Sequence, residues 1–173
     1  MKTSLVPTNL DTLVGDHIST LCPHSIAKED SENHCAHFVS HIMGYNVGVA
    51  SCKNKTWADK KMASTEGATI RVDDLFNSSL AGLKGDWDSK PKSLTECLIY
   101  VTQESNITRN ATSLRMGDGR KKHVGIYTNG RVYHYGNTNN EITCDLPDKF
   151  ISKFARVYGG GNKKVFFFYS WFL

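Results

Sequence analysis

A single cysteine lies within a short segment that also carries three histidines. Cys35 directly follows His34, and His37 and His41 come shortly after it. A cysteine thiolate is both a nucleophile and a metal ligand, and a histidine serves as its general base or as a second ligand. The segment is therefore compatible with a local Cys–His pair, with a metal cluster, or with a nucleophile whose base lies elsewhere in the chain.

The apolar residues around Cys35 have the spacing of an amphipathic helix that ends at Gly44. At about 100° per residue, the cysteine shares one face of this helix with Phe38, Val39 and Ile42. The three histidines lie on another face, on the order of 120° away, so none of them is expected to reach the sulfur. Because no carboxylate accompanies them, we expect them to face solvent or to pack under a loop, and we predict no metal site.

Two interpretations of Cys35 itself are open at this point. If Asn33 caps the helix, Cys35 is its second or third residue, where free N–H groups and the helix dipole lower a thiol pKa and supply oxyanion donors. A lone cysteine on an apolar helix face is otherwise a small buried hydrophobe. A histidine base elsewhere in the chain would favour the nucleophile.

A β-hairpin is the most clearly defined element in the sequence, within the segment KHVGIYTNGRVYHYGN. Its two alternating runs flank an Asn-Gly pair at 129–130, which is preferred in a two-residue type I′ turn. This turn places His134 opposite Gly125 on the neighbouring strand. It likewise places His123 opposite Gly136.

The hairpin thereby supplies a candidate base. His123 and His134 become diagonal neighbours on one face, about 7–8 Å apart between backbones and within side-chain hydrogen-bond reach. The glycines opposite them leave room for the rings or for a substrate. A histidine oriented by a second polar side chain, with its other nitrogen free, is what a cysteine nucleophile requires. Two partly exposed strand histidines are the alternative, but together with a cysteine at a helix start the pattern favours catalysis.

Both segments resemble the NlpC-type branch of the papain-like cysteine peptidases. The family motif at the nucleophile helix has the form D-C-S-G-F-V, and residues 34–39 are HCAHFV here. The second family motif is a strand of the form HVGIYLG, then a turn and a strand that ends in I-H-A. It is matched by HVGIY at 123–127 and by VYH at 132–134. The chain order Cys, His, His is also that of the family.

The resemblance implies an α+β papain-like fold in which the nucleophile helix packs on a central antiparallel β-sheet. It also implies hydrolysis of amide bonds in peptidoglycan stem peptides, without a cofactor. Cys35 would be the nucleophile, His123 the base and later the acid, and His134 the orienting residue. The backbone amide of Cys35 would contribute to the oxyanion hole. The expected substrate-binding residues are His34, Gly125 and Gly136.

The chain also departs from the family pattern. His34 and Ala36 replace the usual Asp/Asn and Ser, and Cys35 and His123 are far apart in the sequence. We therefore expect a single domain over 1–173 with an insertion within 45–120. These departures leave room for a papain-like hydrolase that acts on a protein or acyl substrate, such as a deamidase, protease, acyltransferase or thioesterase. A non-enzymatic histidine-rich binding module is the third hypothesis.

The composition and net charge of the chain limit the kinds of binding partner that the sequence predicts. The net charge of +4, from 21 Lys+Arg against 17 Asp+Glu, suits an anionic partner such as a cell-wall polymer. The sequence has no Lys/Arg-rich run that would predict nucleic-acid binding, and no stretch as long and apolar as a membrane span. The N-terminal segment lacks the apolar region of a Sec signal peptide. We therefore expect synthesis in the cytoplasm and export by a specialised route, such as that of a type VI secretion effector with a cognate immunity protein.

The other elements are less clearly marked. The sequence predicts a short strand continuing as a helix over 69–76, and a buried element of either type over 94–103. Loops are predicted over 77–92 and 105–122. Closing strands are predicted over 150–158 and 165–173. The remaining cysteines form no CxxC pair, so no zinc knuckle is predicted and their pairing is left open. They are Cys22, Cys52, Cys97 and Cys144.

Overall fold

The structure is a computed structural model that describes residues 5–7, 9–62 and 66–173. It is a mixed α+β fold in which helices cover an antiparallel sheet. The α-helices are α1 (Cys35–Met43), α2 (Trp57–Lys61), α3 (Val72–Ser78) and α4 (Pro147–Tyr158). Short 3-10 helices cover Leu10–Leu13, Ile18–Thr20, Ser25–Lys28, Cys52–Asn54, Ala81–Leu83, Trp87–Ser89 and Glu104–Asn106. None of the helices in these described parts of the chain is long and apolar enough to cross a membrane.

Six of the strands form the main sheet, in the order β1-β8-β2-β5-β6-β7, and every pairing is antiparallel. Strands β3 and β4 form a separate hairpin. The strands are β1 (Lys84–Asp86), β2 (Glu96–Gln103), β3 (Ile107–Arg109), β4 (Leu114–Met116), β5 (Lys122–Thr128), β6 (Arg131–Gly136), β7 (Glu141–Asp145) and β8 (Val165–Ser170).

The sheet is buried on both faces because its side chains alternate between two apolar clusters. Val124 and Ile126 of β5 belong to the cluster that contains the apolar side of α1. Val132 of β6 belongs to the other cluster, together with Phe150 and Phe154 of α4. Helix α1 and helix α4 therefore pack against opposite faces of the central strands. The expected packing of the cysteine helix on an antiparallel sheet is confirmed.

Helix α1 begins one residue later than the sequence predicts. Its N-cap is His34, and Cys35 is its first residue. Asn33 nevertheless contributes, because its Oδ1 accepts a hydrogen bond of 3.0 Å from the Cys35 N–H. The predicted end is confirmed: Gly44 has φ 71°, the left-handed conformation that glycine adopts at little cost.

The central hairpin has the predicted turn and register. Asn129 and Gly130 have φ 50° and 74°, as a type I′ turn requires. Strands β5 and β6 pair Tyr127 with Val132, as the two-residue turn dictates. Residues 123, 125 and 127 therefore lie on the α4 side of the sheet.

The strand predicted over 150–158 is wrong, because this segment lies in α4. Pro147 is at the first helical turn, and the buried residues Phe150, Phe154 and Tyr158 recur every fourth position. The strand predicted over 165–173 exists as β8, but it lies between β1 and β2 instead of closing the sheet.

The middle of the chain is more ordered than expected. The predicted loops contain β1 (within 77–92) and the β3–β4 hairpin (within 105–122). The undecided element over 94–103 is β2, a central strand, and it lies within the range 45–120 assigned to an insertion. Of the strand and helix predicted over 69–76, the helix is confirmed as the start of α3, whereas the predicted strand is only an isolated bridge between Thr69 and Ser51.

Phe150→Ala is expected to lower the free energy of unfolding by about 3–5 kcal/mol, since the substitution leaves a cavity between α4 and the sheet. Val157→Ala is the control from the same helix, because Val157 is 51% exposed, and its effect should stay within about 0.5 kcal/mol. Urea denaturation measures both values. Equal effects of the two substitutions would contradict the placement of α4.

Candidate active site

The two hairpin histidines are joined in a chain of hydrogen bonds that crosses three strands. His123 Nε2 of β5 lies 3.0 Å from His134 Nδ1 of β6. His134 Nε2 in turn lies 3.0 Å from Asp145 Oδ2 of β7. Lys149 Nζ is 2.7 Å from the other carboxylate oxygen. The predicted contact between the two histidines is thus present, and a carboxylate extends it.

The order of donors along this chain follows from the carboxylate. An ionised carboxylate only accepts, so His134 must carry its proton on Nε2. A neutral His134 then accepts at Nδ1, which requires that His123 donate from Nε2. His123 Nδ1 is consequently the unprotonated nitrogen, and it is a buried atom with no hydrogen-bond partner among the described residues. This is the free basic nitrogen that a nucleophile requires.

Burial keeps both histidines neutral. The pKa of His123 lies well below its usual value because the ring is desolvated, with further lowering from His134 and Lys153. Burial also lowers the pKa of His134, although Asp145 opposes this shift. The pKa of Asp145 is lowered chiefly by its hydrogen bond with His134. His123 is also stacked on Phe154, with 4.3 Å between ring centroids.

Cys35 lies close to the start of β5, the strand that contains His123. The backbone N–H groups of Val124, the residue after His123, and of Ala36 lie near the Cys35 sulfur and act to lower the pKa of the thiol. Burial nevertheless raises the pKa of the thiol to about 12, although these backbone groups oppose the shift. The lowered thiol pKa expected from the helix dipole is therefore absent, because desolvation outweighs it.

Cys35 and the two histidines pack in different surroundings. Cys35 belongs to the apolar cluster that contains α1, whereas His123 and His134 pack on Phe150 and Phe154 of α4. Within the described residues, the Cys35 thiol makes no hydrogen bond to His123 or His134, and it is 1% exposed. The Cys35 N–H, expected as an oxyanion donor, is directed to Asn33. The Cys35 thiol is therefore covered by protein atoms.

Tyr158, at the end of α4, contributes to this cover. Its hydroxyl donates to the carbonyl of Lys122 at 3.2 Å, and Asn33 Nδ2 donates to the same oxygen at 3.4 Å. The pKa of Tyr158 is raised by burial and, in addition, by the nearby Cys35. The end of α4 and the loop before α1 are thus joined at the first residue of β5.

A cleft of about 450 Å³ opens at the other end of the hydrogen-bond chain. It is bordered by β6, β7 and α4, and it reaches Asp145 and Gly136. Three of its lining residues are cationic, against Glu141 and the buried Asp145. The cationic residues are Lys149, Lys153 and Arg156. Because Lys149 is paired with Asp145, the cleft has a small excess of positive charge.

The three residues expected to bind substrate lie in different surroundings. His34 is buried and contacts His37 and the Glu29 carbonyl. Gly125 packs tightly, since a Cβ there would lie 2.8 Å from Val132 Cγ1 and 3.2 Å from His134 Cβ. This close approach explains the glycine beside the histidine ring. Gly136 lines the cleft.

The histidines around Cys35 are not exposed. His34 and His37 are fully buried, and His41 is half-buried, so a solvent-facing role is wrong. None of the three hydrogen-bonds to the Cys35 sulfur within the described residues, as the helical geometry predicts. They pack instead against the chain segments on either side of α1.

Asp145, the third member of the hydrogen-bond chain, was not predicted from the sequence. The signal was present, because Asp145 ends a short alternating strand that follows the hairpin. The register that pairs His134 with Thr143 depends on the turn before β7, where Asn140 has φ 52°. That turn carries no Asn-Gly signature, so the partner of His134 is not evident from the sequence.

Comparison with known proteins identifies no relative, since no protein family, curated protein or solved structure matches this chain. Its function is therefore inferred from the geometry of these residues.

Protein stability is expected to fall as the pH drops below about 6.5, the value at which histidine titrates in an unfolded chain. Burial lowers the pKa of His123 and His134, so below that pH the unfolded state binds more protons than the folded state. Each histidine then contributes a loss of up to about 1.4 kcal/mol per pH unit. Urea denaturation between pH 7.5 and 5 should show a shallower loss for His123→Gln. A wild-type stability that stays constant over this range would contradict the neutral, buried pair.

Tyr158→Phe is expected to accelerate alkylation of Cys35 by iodoacetamide severalfold, because it removes the hydroxyl that holds α4 to Lys122. In the wild type, labelling of the buried thiol should be slow. Peptide mass spectrometry measures the rate at Cys35 alone. Tyr127→Phe is the matched control, since this half-buried tyrosine packs on Trp87 and should leave the rate unchanged. Equal rates in both variants would refute the covering role of Tyr158.

Proposed function

We propose that the protein is a cysteine hydrolase with Cys35 as nucleophile, His123 as base, and His134 and Asp145 as positioning residues. The observation that carries this proposal is the ordered chain from Asp145 to His123, which leaves the basic Nδ1 free on the strand residue before the one whose backbone N–H lies near the Cys35 sulfur. A buried polar nitrogen without a partner is costly, so its retention favours a role in proton transfer.

The reaction requires a rearrangement that brings the Cys35 sulfur within reach of His123 Nδ1, because Cys35 packs in the α1 cluster and the His123 ring packs on α4. Nδ1 accepts the thiol proton while the sulfur attacks the carbonyl carbon of an amide. The C–N bond then breaks, and His123 returns the proton to the leaving amine, which yields a thioester on Cys35. Water, deprotonated by the same Nδ1, hydrolyses the thioester to a carboxylic acid and the free thiol.

Asp145 and His134 act through His123. They hold its Nε2 protonated and its ring oriented, and they stabilise the imidazolium that forms after thiol deprotonation. A conservative change at Asp145 is therefore expected to affect turnover far more than substrate binding.

The peptide stems of peptidoglycan are the proposed substrate, as the resemblance to the NlpC-type peptidases implies. Such stems carry several carboxylates, which suits the cleft lined by Lys149, Lys153 and Arg156. The net charge of +4 favours approach to an anionic polymer in the same way. Export by a specialised secretion system remains part of this proposal.

Digestion of purified muropeptides, with mass spectrometry of the fragments, tests the proposal. Cys35→Ala is expected to abolish cleavage, and Asp145→Asn to lower kcat on the order of 10²–10⁴-fold with little change in KM. Cys144→Ser is the control, because this half-buried cysteine lies outside the hydrogen-bond chain.

Intact muropeptides together with turnover of a protein or acyl substrate would reject the peptidoglycan assignment and keep the hydrolase. A Cys35→Ala protein with unchanged activity would reject Cys35 as the nucleophile, and no turnover of any such substrate by the wild type would reject the hydrolase itself.

A further inference from the structure

A second cluster of reactive side chains lies beside α1. It comprises two cysteines and two histidines, and we call it the Cys2His2 cluster: Cys22, His37, His41 and Cys52. One ligand atom from each residue lies within 4.8 Å of every other. His37 and His41 are one turn apart on α1, Cys22 follows the 3-10 helix Ile18–Thr20, and Cys52 begins another 3-10 helix. The cluster therefore joins three separate segments of the chain.

Two distances within the cluster are close to the edges of a tetrahedral zinc site. His37 Nε2 lies 3.2 Å from His41 Nε2, and His41 Nε2 lies 3.9 Å from Cys52 Sγ. Zinc bonds of about 2.0–2.1 Å to nitrogen and 2.3 Å to sulfur predict tetrahedral edges of about 3.3–3.4 Å between nitrogens and 3.6 Å between nitrogen and sulfur. The observed distances differ from these edges by a few tenths of an ångström.

The surrounding hydrogen bonds direct a lone pair of His37 into the cluster. His34 Nε2 lies 3.1 Å from the Glu29 carbonyl, which only accepts, so Nε2 carries the proton of His34. In a neutral imidazole the other ring nitrogen accepts, so His34 accepts at Nδ1. His37 Nδ1, at 3.2 Å, must then donate to it, which leaves His37 Nε2 unprotonated and facing His41.

The Cys52 sulfur also accepts a hydrogen bond from the surrounding structure. The Ala68 N–H donates to Cys52 Sγ at 3.1 Å, as backbone amides do to thiolates that bind a metal. Both cysteines are fully buried, and His41 is the ligand nearest the surface.

We propose that the Cys2His2 cluster binds one structural Zn²⁺ ion in tetrahedral coordination. The ligand atoms are Cys22 Sγ, His37 Nε2, His41 Nε2 and Cys52 Sγ. Four protein ligands leave no open position for water or substrate, which is the pattern of a structural zinc site. This departs from the sequence-based expectation, which assigned no metal.

The ion would affect the candidate active site only by fixing the position of helix α1, which carries Cys35. His37 lies two residues after Cys35 in α1, so the metal would tie the nucleophile helix to the segments that contain Cys22 and Cys52. The proposal is independent of hydrolase activity, because it rests on a different set of side chains.

Metal analysis of untagged protein, purified without chelator, tests the proposal directly. About one zinc ion per chain is expected, and zinc removal by a strong chelator should lower the melting temperature reversibly. Replacement of zinc by Co²⁺ should give the visible absorption of a tetrahedral site with thiolate-to-cobalt charge transfer. X-ray absorption at the zinc edge should show two sulfur and two nitrogen neighbours.

Variants separate the proposed ligands from other buried cysteines. Cys52→Ser and His41→Ala should lose bound zinc, while Cys97→Ser, at a buried site in β2, should keep it. His34→Leu should weaken zinc binding about 10–100-fold, because it removes the partner that orients His37. If a ligand variant fails to fold, the absorption spectra of the wild type still report the coordination.

Three outcomes would overturn the proposal: substoichiometric zinc with no tetrahedral cobalt spectrum, metal retained in Cys52→Ser, or a disulfide between Cys22 and Cys52 in the native protein. Mass spectrometry after alkylation without reductant detects that disulfide.

Discussion

The charge on Asp145 fixes the protonation of two histidines in neighbouring strands. A buried carboxylate must be paired, and Asp145 is paired with the His134 N–H and with the Lys149 ammonium. His134 then accepts at Nδ1, so His123 must donate from Nε2 and its Nδ1 is unprotonated. Were Asp145 uncharged, His134 would be free to adopt either tautomer, and His123 Nδ1 would carry a proton in part of the population. The register of β5, β6 and β7 is therefore the constraint on which the basicity of the site depends.

Helix α1 is buried on two sides, and the two sides have different chemistry. Its apolar stripe, with Phe38 and Val39, packs against the sheet and places Cys35 at the start of β5. Its histidine side packs against the segments before and after it. Buried histidines require partners, and His34 finds one in the Glu29 carbonyl. The irregular N-terminal segment is thereby part of the core, and Ile18 and Ala27 within it are fully buried.

Local signals in the sequence were sufficient for α1 and for the central hairpin. Gly44 and the apolar spacing mark the helix, and the Asn-Gly pair at 129–130 determines which residues face each other across the hairpin. The segment 150–158 was ambiguous, because Phe150, Phe154 and Tyr158 satisfy a period of two as well as a helical spacing of four. Pro147 is the local signal that favours the helix, because proline is common at the first helical position.

The contacts that depend on tertiary structure were not predictable from spacing. Cys22 and Cys52 come from segments without clear periodicity, so nothing local indicates that they meet His37 and His41. The burial of Cys35 likewise depends on tertiary contacts that no local pattern in the sequence indicates. A cysteine at a helix start was expected to have a lowered thiol pKa, and the pKa is raised to about 12 because the surrounding elements exclude water from it.

That burial determines what the proposed hydrolysis would require of this protein. Two donors, the Tyr158 hydroxyl and Asn33 Nδ2, meet at the carbonyl of Lys122 beside the site. Each such hydrogen bond stabilises a fold by about 0.5–1.5 kcal/mol, so releasing both costs about 1–3 kcal/mol, well below a typical free energy of unfolding. Phe150 anchors α4 to the sheet two turns away and need not move. Releasing the end of α4 from Lys122 therefore requires only a local displacement, which costs far less than unfolding.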